Sequence, residues 1–233
     1  MKTLTLEIDD SQGIRPLRFD ASAMVNLGYV GRNEAAVRHH IEELAKEGVA
    51  PPASIPMRIP MPLSTLSQDA EIDVAGEKTS GEVEVVFLLG KGKVYVGIGS
   101  DHTDREIERQ NMALSKQVCP NVVGPRVWDF ETVAPHWDEL LLQSWVRDAS
   151  GETLYQRATL AAMLPAEKLL ACARTTFKNA SAEGLVIYSG TIGLLKSQFI
   201  YAPGFRCELS DPKSGRSLSC EYSVRTLASV FRD

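Results

Sequence analysis

The sequence predicts a β-rich α+β domain. Short runs of valine, isoleucine, leucine and aromatic residues, bounded by glycine, proline, asparagine or aspartate, recur along most of the chain. Only a few stretches place apolar residues at helical spacing. The 233 residues suffice for one domain that buries its own core without disulfides or a structural metal.

Residues 1–20 read as one or two short strands, with Leu4, Leu6 and Ile8 alternating with polar neighbours. We treat them as a short N-terminal β arm on a single domain formed by residues 21–233. Over residues 33–47 the period becomes helical. Asn33 is the expected N-cap, Ala36, Val37, Ile41, Leu44 and Ala45 form the apolar stripe, and Gly48 ends it. VAPPASIPMRIPMP holds five of the twelve prolines and reads as a stiff extended loop, since proline neither continues a helix nor pairs inside a sheet. EVEVVFLLG and VYVGIGS are strands joined at Lys91-Gly92, and TDREIERQNMALSKQ reads as helix. Residues 125–139 read as a loop and a short turn. LLQSWVRDASGETLYQ reads as a hairpin turning at Ser150-Gly151, and LPAEKLLACARTTFKNA as an amphipathic helix begun by Pro165. The chain closes with strands GLVIYSGTIG, FRCELSDP and SLSCEYSVRTL, with a turn at residues 211–215.

Lys and Arg number 25 against 30 Asp and Glu, a formal charge of −5 with no basic block, so neither nucleic acid nor an anionic membrane is the expected partner. No apolar run reaches the roughly 18 residues of a membrane span, and MKTLTLEIDD lacks a signal-peptide core. Cys119, Cys172, Cys207 and Cys220 are scattered and form no CxxC pair, the pattern of reduced thiols in a cytoplasmic protein.

The most informative stretch is Gly81 to Gly90. Glu82 and Glu84 share a strand face, about 7 Å apart. Val85 to Leu89 is apolar on both faces, which marks a buried strand. A buried carboxylate without a partner is costly, so a cation is expected beside them. With Lys91-Gly92 as a two-residue turn, Glu82 stands opposite Asp101 and Glu84 opposite Gly99. Opposed residues share a face, so Glu82, Glu84 and Asp101 gather beside a glycine that leaves space. Three such carboxylates cannot all ionise without a cation, and an all-oxygen set favours Mg²⁺, Mn²⁺ or Ca²⁺ over zinc. The alternative is a solvent-facing Glu pair with Asp101 capping the helix after it.

GEVEVVFLLG, GIGSDHTDREIE and SKQVCPNVVGP resemble the metal-binding core of the fumarylacetoacetate hydrolase superfamily. LYQRATLAAML is similar to that family's Gln-x-Gly-Asn-Thr stretch and GLVIYSGTIG to its Gly-Asp-Val-Ile-x-x-Gly-Thr strand. GFRCELSD and SLSCEYSV resemble its closing strands, and LGYVGRNEAAVRHHIEEL its Gly-x-Asn-Tyr-x-x-His segment. The ordered series runs from about residue 25 to 225, and the SDHTDRE form resembles a divergent bacterial branch of unknown function. The fold this implies is a mixed β-roll or sandwich with flanking helices.

By this resemblance Glu82, Glu84 and Asp101 fall on metal ligands, with Mg²⁺ or Mn²⁺ as the ion. Lys116 falls on the lysine that contacts substrate and metal shell. Arg105, Gln156 and Thr191 fall on substrate-pocket positions. Ser100 stands where the family has Asn, and Ile192 where it has Pro. The spacing from Asp101 to Lys116 is shorter than the family's, and an additional carboxylate found in some members has no counterpart.

The implied activity is cleavage of a C–C bond in a small 2-keto or 2,4-diketo acid, by hydrolysis or decarboxylation, through a metal-stabilised enolate. Hydratase or isomerase chemistry on 2-oxo-enoic acids is the nearest alternative, and a keto-acid-binding protein without turnover is another. The resemblance also implies a homodimer. Hydrolysis needs a water-activating pair. His39/Glu42 and His40/Glu43 each lie three apart on a helix face. HIEEL matches the family's His-apolar-x-Glu-apolar pattern, which favours His40 as general base oriented by Glu43. Of the remaining candidates, His102 fits a supporting position, while His136 and Cys119 fit structural ones. Arg58 suits a carboxylate clamp. Specificity is expected within residues 48–75 and 121–140.

Overall fold

The structure, a computed structural model, describes residues 1–10, 13–46, 51–178 and 182–231, without the side chains of His40, Glu43, Leu44 and Lys46. In chain order, β1 (Lys2–Asp10) and β2 (Gly13–Ala21) form an antiparallel hairpin, followed by β3 (Ala23–Gly28) and α1 (Glu34–Lys46). The Asn33 side chain accepts from the Ala36 N–H at 3.1 Å, which confirms the cap. The stripe is narrower than its sequence suggests: Ile41 is buried and Val37 half-buried, but Ala36 and Ala45 face solvent. Gly48, the expected stop, lies outside the described residues.

The proline-rich stretch is not all loop. Met57–Met61 forms β4, and Pro60 pairs opposite Val25. β4 is an edge strand, so proline's missing N–H costs no ladder bond there. Short strands β5 (Leu66–Ser67), β6 (Glu71–Val74) and β7 (Thr79–Ser80) precede the central hairpin of β8 (Val83–Gly90) and β9 (Lys93–Asp101). Its turn has positive φ at both Lys91 (56°) and Gly92 (71°), the primed form that suits strand twist.

After β10 (Thr103–Asp104), the single helix expected here is broken into α2 (Arg105–Glu108) and α3 (Met112–Gln117). Asp104 caps the first through the N–H groups of Glu106 and Ile107, and Asn111 caps the second through Leu114. Two N-caps seven residues apart force the restart. The segment read as loop contains β11 (Asn121–Val123), β12 (Arg126–Asp129) and α4 (Phe130–Val133). β13 (Leu141–Asp148) and β14 (Gly151–Thr159) form the expected hairpin, and α5 (Ala166–Arg174) follows Pro165. β15 (Leu185–Thr191), β16 (Gly204–Asp211) and β17 (Arg216–Thr226) complete the chain.

The large sheet runs β2-β1-β12-β9-β8-β15-β3-β4, with β11 pairing both β9 and β5. Laid flat, β4 and β5 would stand six strand spacings apart, about 29 Å. Residues 62–65 join them and span at most about 18 Å, so the sheet must curl. The result is a β-roll, as expected. The N-terminal hairpin extends this sheet, since β1 pairs in parallel with β12. A second sheet, β14-β13-β16-β17-β6, packs on one face.

Two cores follow. Val83, Val85, Phe87, Phe205 and Leu218 fill the space between the sheets. Val86, Leu88, Leu66, Ile59 and Tyr188 fill the inside of the roll. β8 is buried throughout because each face meets a different core. Among the described residues no helix is long and apolar enough to cross a membrane.

Candidate metal centre

The β8–β9 register is the one the two-residue turn predicts. Glu84 pairs with Gly99 and Val83 with Ser100, and the Asp101 N–H donates to the Glu82 carbonyl at 3.1 Å. Glu82, Glu84 and Asp101 each present a ligand oxygen, all within 4.8 Å of one another. Glu84 and Asp101 are buried, and Glu82 is half-buried.

Each carboxylate is held differently. Lys116 Nζ donates to Glu82 Oε2 at 2.8 Å and to Asp101 Oδ2 at 2.6 Å. Arg105 Nη2 donates to Glu82 Oε1 at 3.0 Å, Nη1 to Glu108 at 2.9 Å and Nε to Ser80 at 2.8 Å. Burial works against the Glu82 charge, but Lys116 and Arg105 outweigh it and hold the pKa at about 2. Burial also opposes charge on Lys116, which the three carboxylates more than offset, so it stays firmly cationic. Glu84 has a single neutral donor, the Gly190 N–H at 2.8 Å, and burial followed by the Asp101 charge pushes its pKa well up. Gly190 sits at a bulge with φ 82°, where a β-carbon would stand 2.6 Å from Val30, so only glycine aims this N–H at Glu84. Asp101 is raised chiefly by burial, with Lys116 opposing.

Gln156 and Thr191 tie the sheets together beside this cluster. Gln156 Nε2 donates to Thr191 Oγ1 (2.9 Å) and to the Ile192 carbonyl (2.6 Å). Its Oε1 accepts from the Val83 N–H (3.1 Å) and Ser144 (2.9 Å), so all four bonding positions of the amide are used within the chain. Thr191 Oγ1 donates to the Val83 carbonyl at 2.8 Å. Ser100, where the family has Asn, accepts from the Glu82 N–H at 3.2 Å and meets the Tyr222 hydroxyl at 2.8 Å. His102 points into the inter-sheet core, 3.0 Å from that hydroxyl, and burial with nearby Arg105 lowers its pKa to about 3.

His136 lies 3.0 Å from Asp211, which caps the turn before Gly215. Arg58 donates to Thr175 at 2.9 Å. Cys119 is a buried thiol pushed up to about 12 by burial. The backbones of His40 and Glu43 lie in α1; their side chains are outside the described residues.

Three polar residues here escaped sequence reasoning. Asn26, Asn121 and Tyr188 are fully buried, and neither their polar atoms nor Asp101 Oδ1 has a hydrogen bond of good geometry within the chain. Asn121 stands directly opposite Asp101, and Asn26 opposite Tyr188. A signal existed in Asn26, a lone amide in the apolar strand AMVNLG. Buried polar groups seldom go unserved, so this end of the roll is chemically unsaturated. An unpaired carboxylate oxygen, a repelled Glu84 and an all-oxygen donor set fit Mg²⁺ or Mn²⁺ held by Glu82, Glu84 and Asp101.

The rolled sheet, the second sheet packed on it and the carboxylates of the central hairpin define the fumarylacetoacetate hydrolase fold. Solved structures agree. The 2-keto-3-deoxy-D-arabinonate dehydratase complexed with magnesium and 2,5-dioxopentanoate matches with a TM-score of 0.61 at 14% identity, over 94% of this chain and 78% of that one. The 5-carboxymethyl-2-hydroxymuconate delta-isomerase from Mycobacterium smegmatis matches at 0.61 and 14%, over 93% and 82%. The 2-hydroxyhepta-2,4-diene-1,7-dioate isomerase from Mycobacterium marinum matches at 0.58 and 12%, over 97% and 100%. At such identities the likeness is one of fold. No curated protein matches the sequence. The chain belongs to the family described as "Protein of unknown function (DUF2848)", whose model matches residues 27–222, a divergent branch of this fold.

Proposed function

We propose that the chain is a divalent-metal-dependent enzyme that acts on a small 2-keto acid by way of an enolate. The observation that carries this reading is the convergence of Glu82, Glu84 and Asp101 within 4.8 Å, with Lys116 bonded to two of them. Mg²⁺ or Mn²⁺ bound by this triad would polarise a substrate carbonyl and stabilise the enolate charge.

The chain's own residues supply the rest. Lys116 adds a fixed positive charge beside the triad, where a developing oxyanion gains from it. Arg105 holds Glu82 ionised and oriented, and the Gly190 N–H orients Glu84. Gln156 and Thr191 fix the start of β8, and with it the spacing of Glu82 and Glu84. Thr191 and Arg105 also border the space a substrate would enter. His40 is the general base that activates water and Glu43 orients it, which makes the reaction hydrolysis of a C–C bond in a 2,4-diketo acid, with decarboxylation as its close relative. Free thiols at Cys119, Cys172, Cys207 and Cys220 accord with a cytoplasmic location, and we assign a homodimer.

A second reading, isomerase or dehydratase chemistry, is favoured by the names of the neighbouring structures and needs no water-activating pair. The test is calorimetric titration of Mg²⁺ and Mn²⁺ into chelator-treated protein, with and without oxalate as an enolate mimic, followed by a keto-acid screen of wild type and His40→Ala. One ion per chain, tightened by oxalate and lost in Asp101→Ala, supports the metal reading. Loss of C–C hydrolysis in His40→Ala supports the hydrolase; hydrolysis that survives the substitution removes His40 from the mechanism. Tautomerisation without hydrolysis selects the second reading.

A further inference from the structure

Beside the carboxylates lies a cavity of about 280 Å³, walled by Tyr29, Pro52, Met57 and Met112, with Glu108 and Arg109 at its edge. This volume is at the small end for ligand pockets, which run from about 300 to 1,000 Å³. Two connections join it to the metal centre. Met112 and Lys116 are four residues apart on α3 and share a helix face, so the wall and the lysine that grips Glu82 and Asp101 are neighbours. Glu108 is bonded to Arg105, which is bonded in turn to Glu82.

The walls are built for apolar contact. Met57 and Met112 pack against the core inside the roll and continue that surface into the cavity. Methionine side chains adapt to the shape of what they meet. Tyr29 lies on the wall from a backbone with φ 55°, a left-handed conformation a tyrosine rarely adopts and one that marks constrained sites. The two charges at the edge oppose each other, and Glu108 is already engaged by Arg105, so the cavity offers no net charge to a ligand. Nor does it present the run of donors and acceptors that a polyhydroxylated tail would need.

We infer that this cavity binds the tail of the substrate, and that the tail is an unbranched aliphatic chain of a few carbons rather than a second carboxylate or a sugar-like polyol. The inference rests on the 2-keto-acid reading above and names the class of keto acid.

The test is a calorimetric series on Mg²⁺-loaded protein with oxalate, pyruvate, 2-oxobutanoate, 2-oxopentanoate, 2-oxohexanoate and 2-oxoadipate. Each buried methylene should tighten binding about three- to fourfold, so 2-oxohexanoate should bind at least about tenfold more tightly than pyruvate. Met57→Asp should flatten the series and leave pyruvate unchanged. Met57→Ser serves the same purpose if the aspartate variant does not fold. Arg109→Ala should leave the series as it is. A flat series in wild type, with oxalate and pyruvate still bound, overturns the tail site alone. Tighter binding of 2-oxoadipate than of 2-oxohexanoate, lost in Arg109→Ala, overturns it in favour of an acidic tail. Failure of oxalate and every keto acid to bind removes the 2-keto-acid reading and this inference with it.

Discussion

The ring of Tyr188 fills the space that Gly99 leaves open. A β-carbon on Gly99 would stand 3.1 Å from Tyr188 Cε1, 2.9 Å from Val86 Cγ2 and 2.3 Å from the Val122 carbonyl oxygen. The last contact is with backbone and cannot be relieved by a rotamer change. Gly99→Ala should therefore destabilise the protein by about 1–3 kcal/mol, the usual range for overpacking, and weaken ion binding because Gly99 pairs with Glu84. Urea unfolding and ion titration of the variant check both effects; an unchanged unfolding midpoint would mean that β11 yields freely.

Lys116 is the only group bonded to both Glu82 and Asp101 among the described residues. Lys116→Met leaves a buried carboxylate with too little positive charge, a loss that typically costs about 3–5 kcal/mol. Lys116→Met combined with Asp101→Asn should be less destabilised than Lys116→Met alone. Denaturant midpoints of the two variants decide it, and equal midpoints contradict the pairing.

Proton and ion compete for Glu84. Burial and the Asp101 charge raise its pKa in the folded chain, so the folded protein keeps a proton there at pH values where the unfolded chain has lost it. Stability gained from that proton is complete below the unfolded pKa and disappears as pH rises through the folded one. Ion affinity should run the other way and increase with pH, with proton release on binding. Titrations in buffers of different ionisation enthalpy measure the release. Affinity that falls with rising pH would contradict the assignment.

Cys119 should be inert to alkylation in the folded protein. With its pKa near 12, only about one thiol in ten thousand is ionised near pH 8. Cys207 is fully buried and raised further by burial, whereas Cys172 is partly exposed. Mass spectrometry after brief iodoacetamide treatment should find Cys172 modified first and the others only after unfolding.

The carboxylate cluster was legible because its determinants are local. A two-residue turn at Lys91-Gly92 sets the register, and strand alternation does the rest. The cations were harder to place. Arg105 reaches back 23 residues to Glu82 and Lys116 reaches 34, distances over which no periodicity speaks; only family resemblance brought them in. Pro60 misled because the rule against proline in sheets relaxes on an edge, and edge position depends on the whole sheet order. The break between α2 and α3 was readable from Asp104 and Asn111, both strong N-caps, but an apolar period running through them masked it. Asn26 and Asn121 acquire meaning only once the sheet curls and brings their strands to the same end of the roll.

Arg105 bonds Glu82 with one terminal nitrogen and Glu108 with the other. A single planar guanidinium thus spans the ion's ligand set and the wall of the apolar cavity. It cannot shift toward one without loosening the other. Occupancy at either place is then thermodynamically linked to occupancy at the other, and by reciprocity the factor is the same in both directions. The chain can sense whether a correctly tailed molecule is present through how tightly it grips its metal.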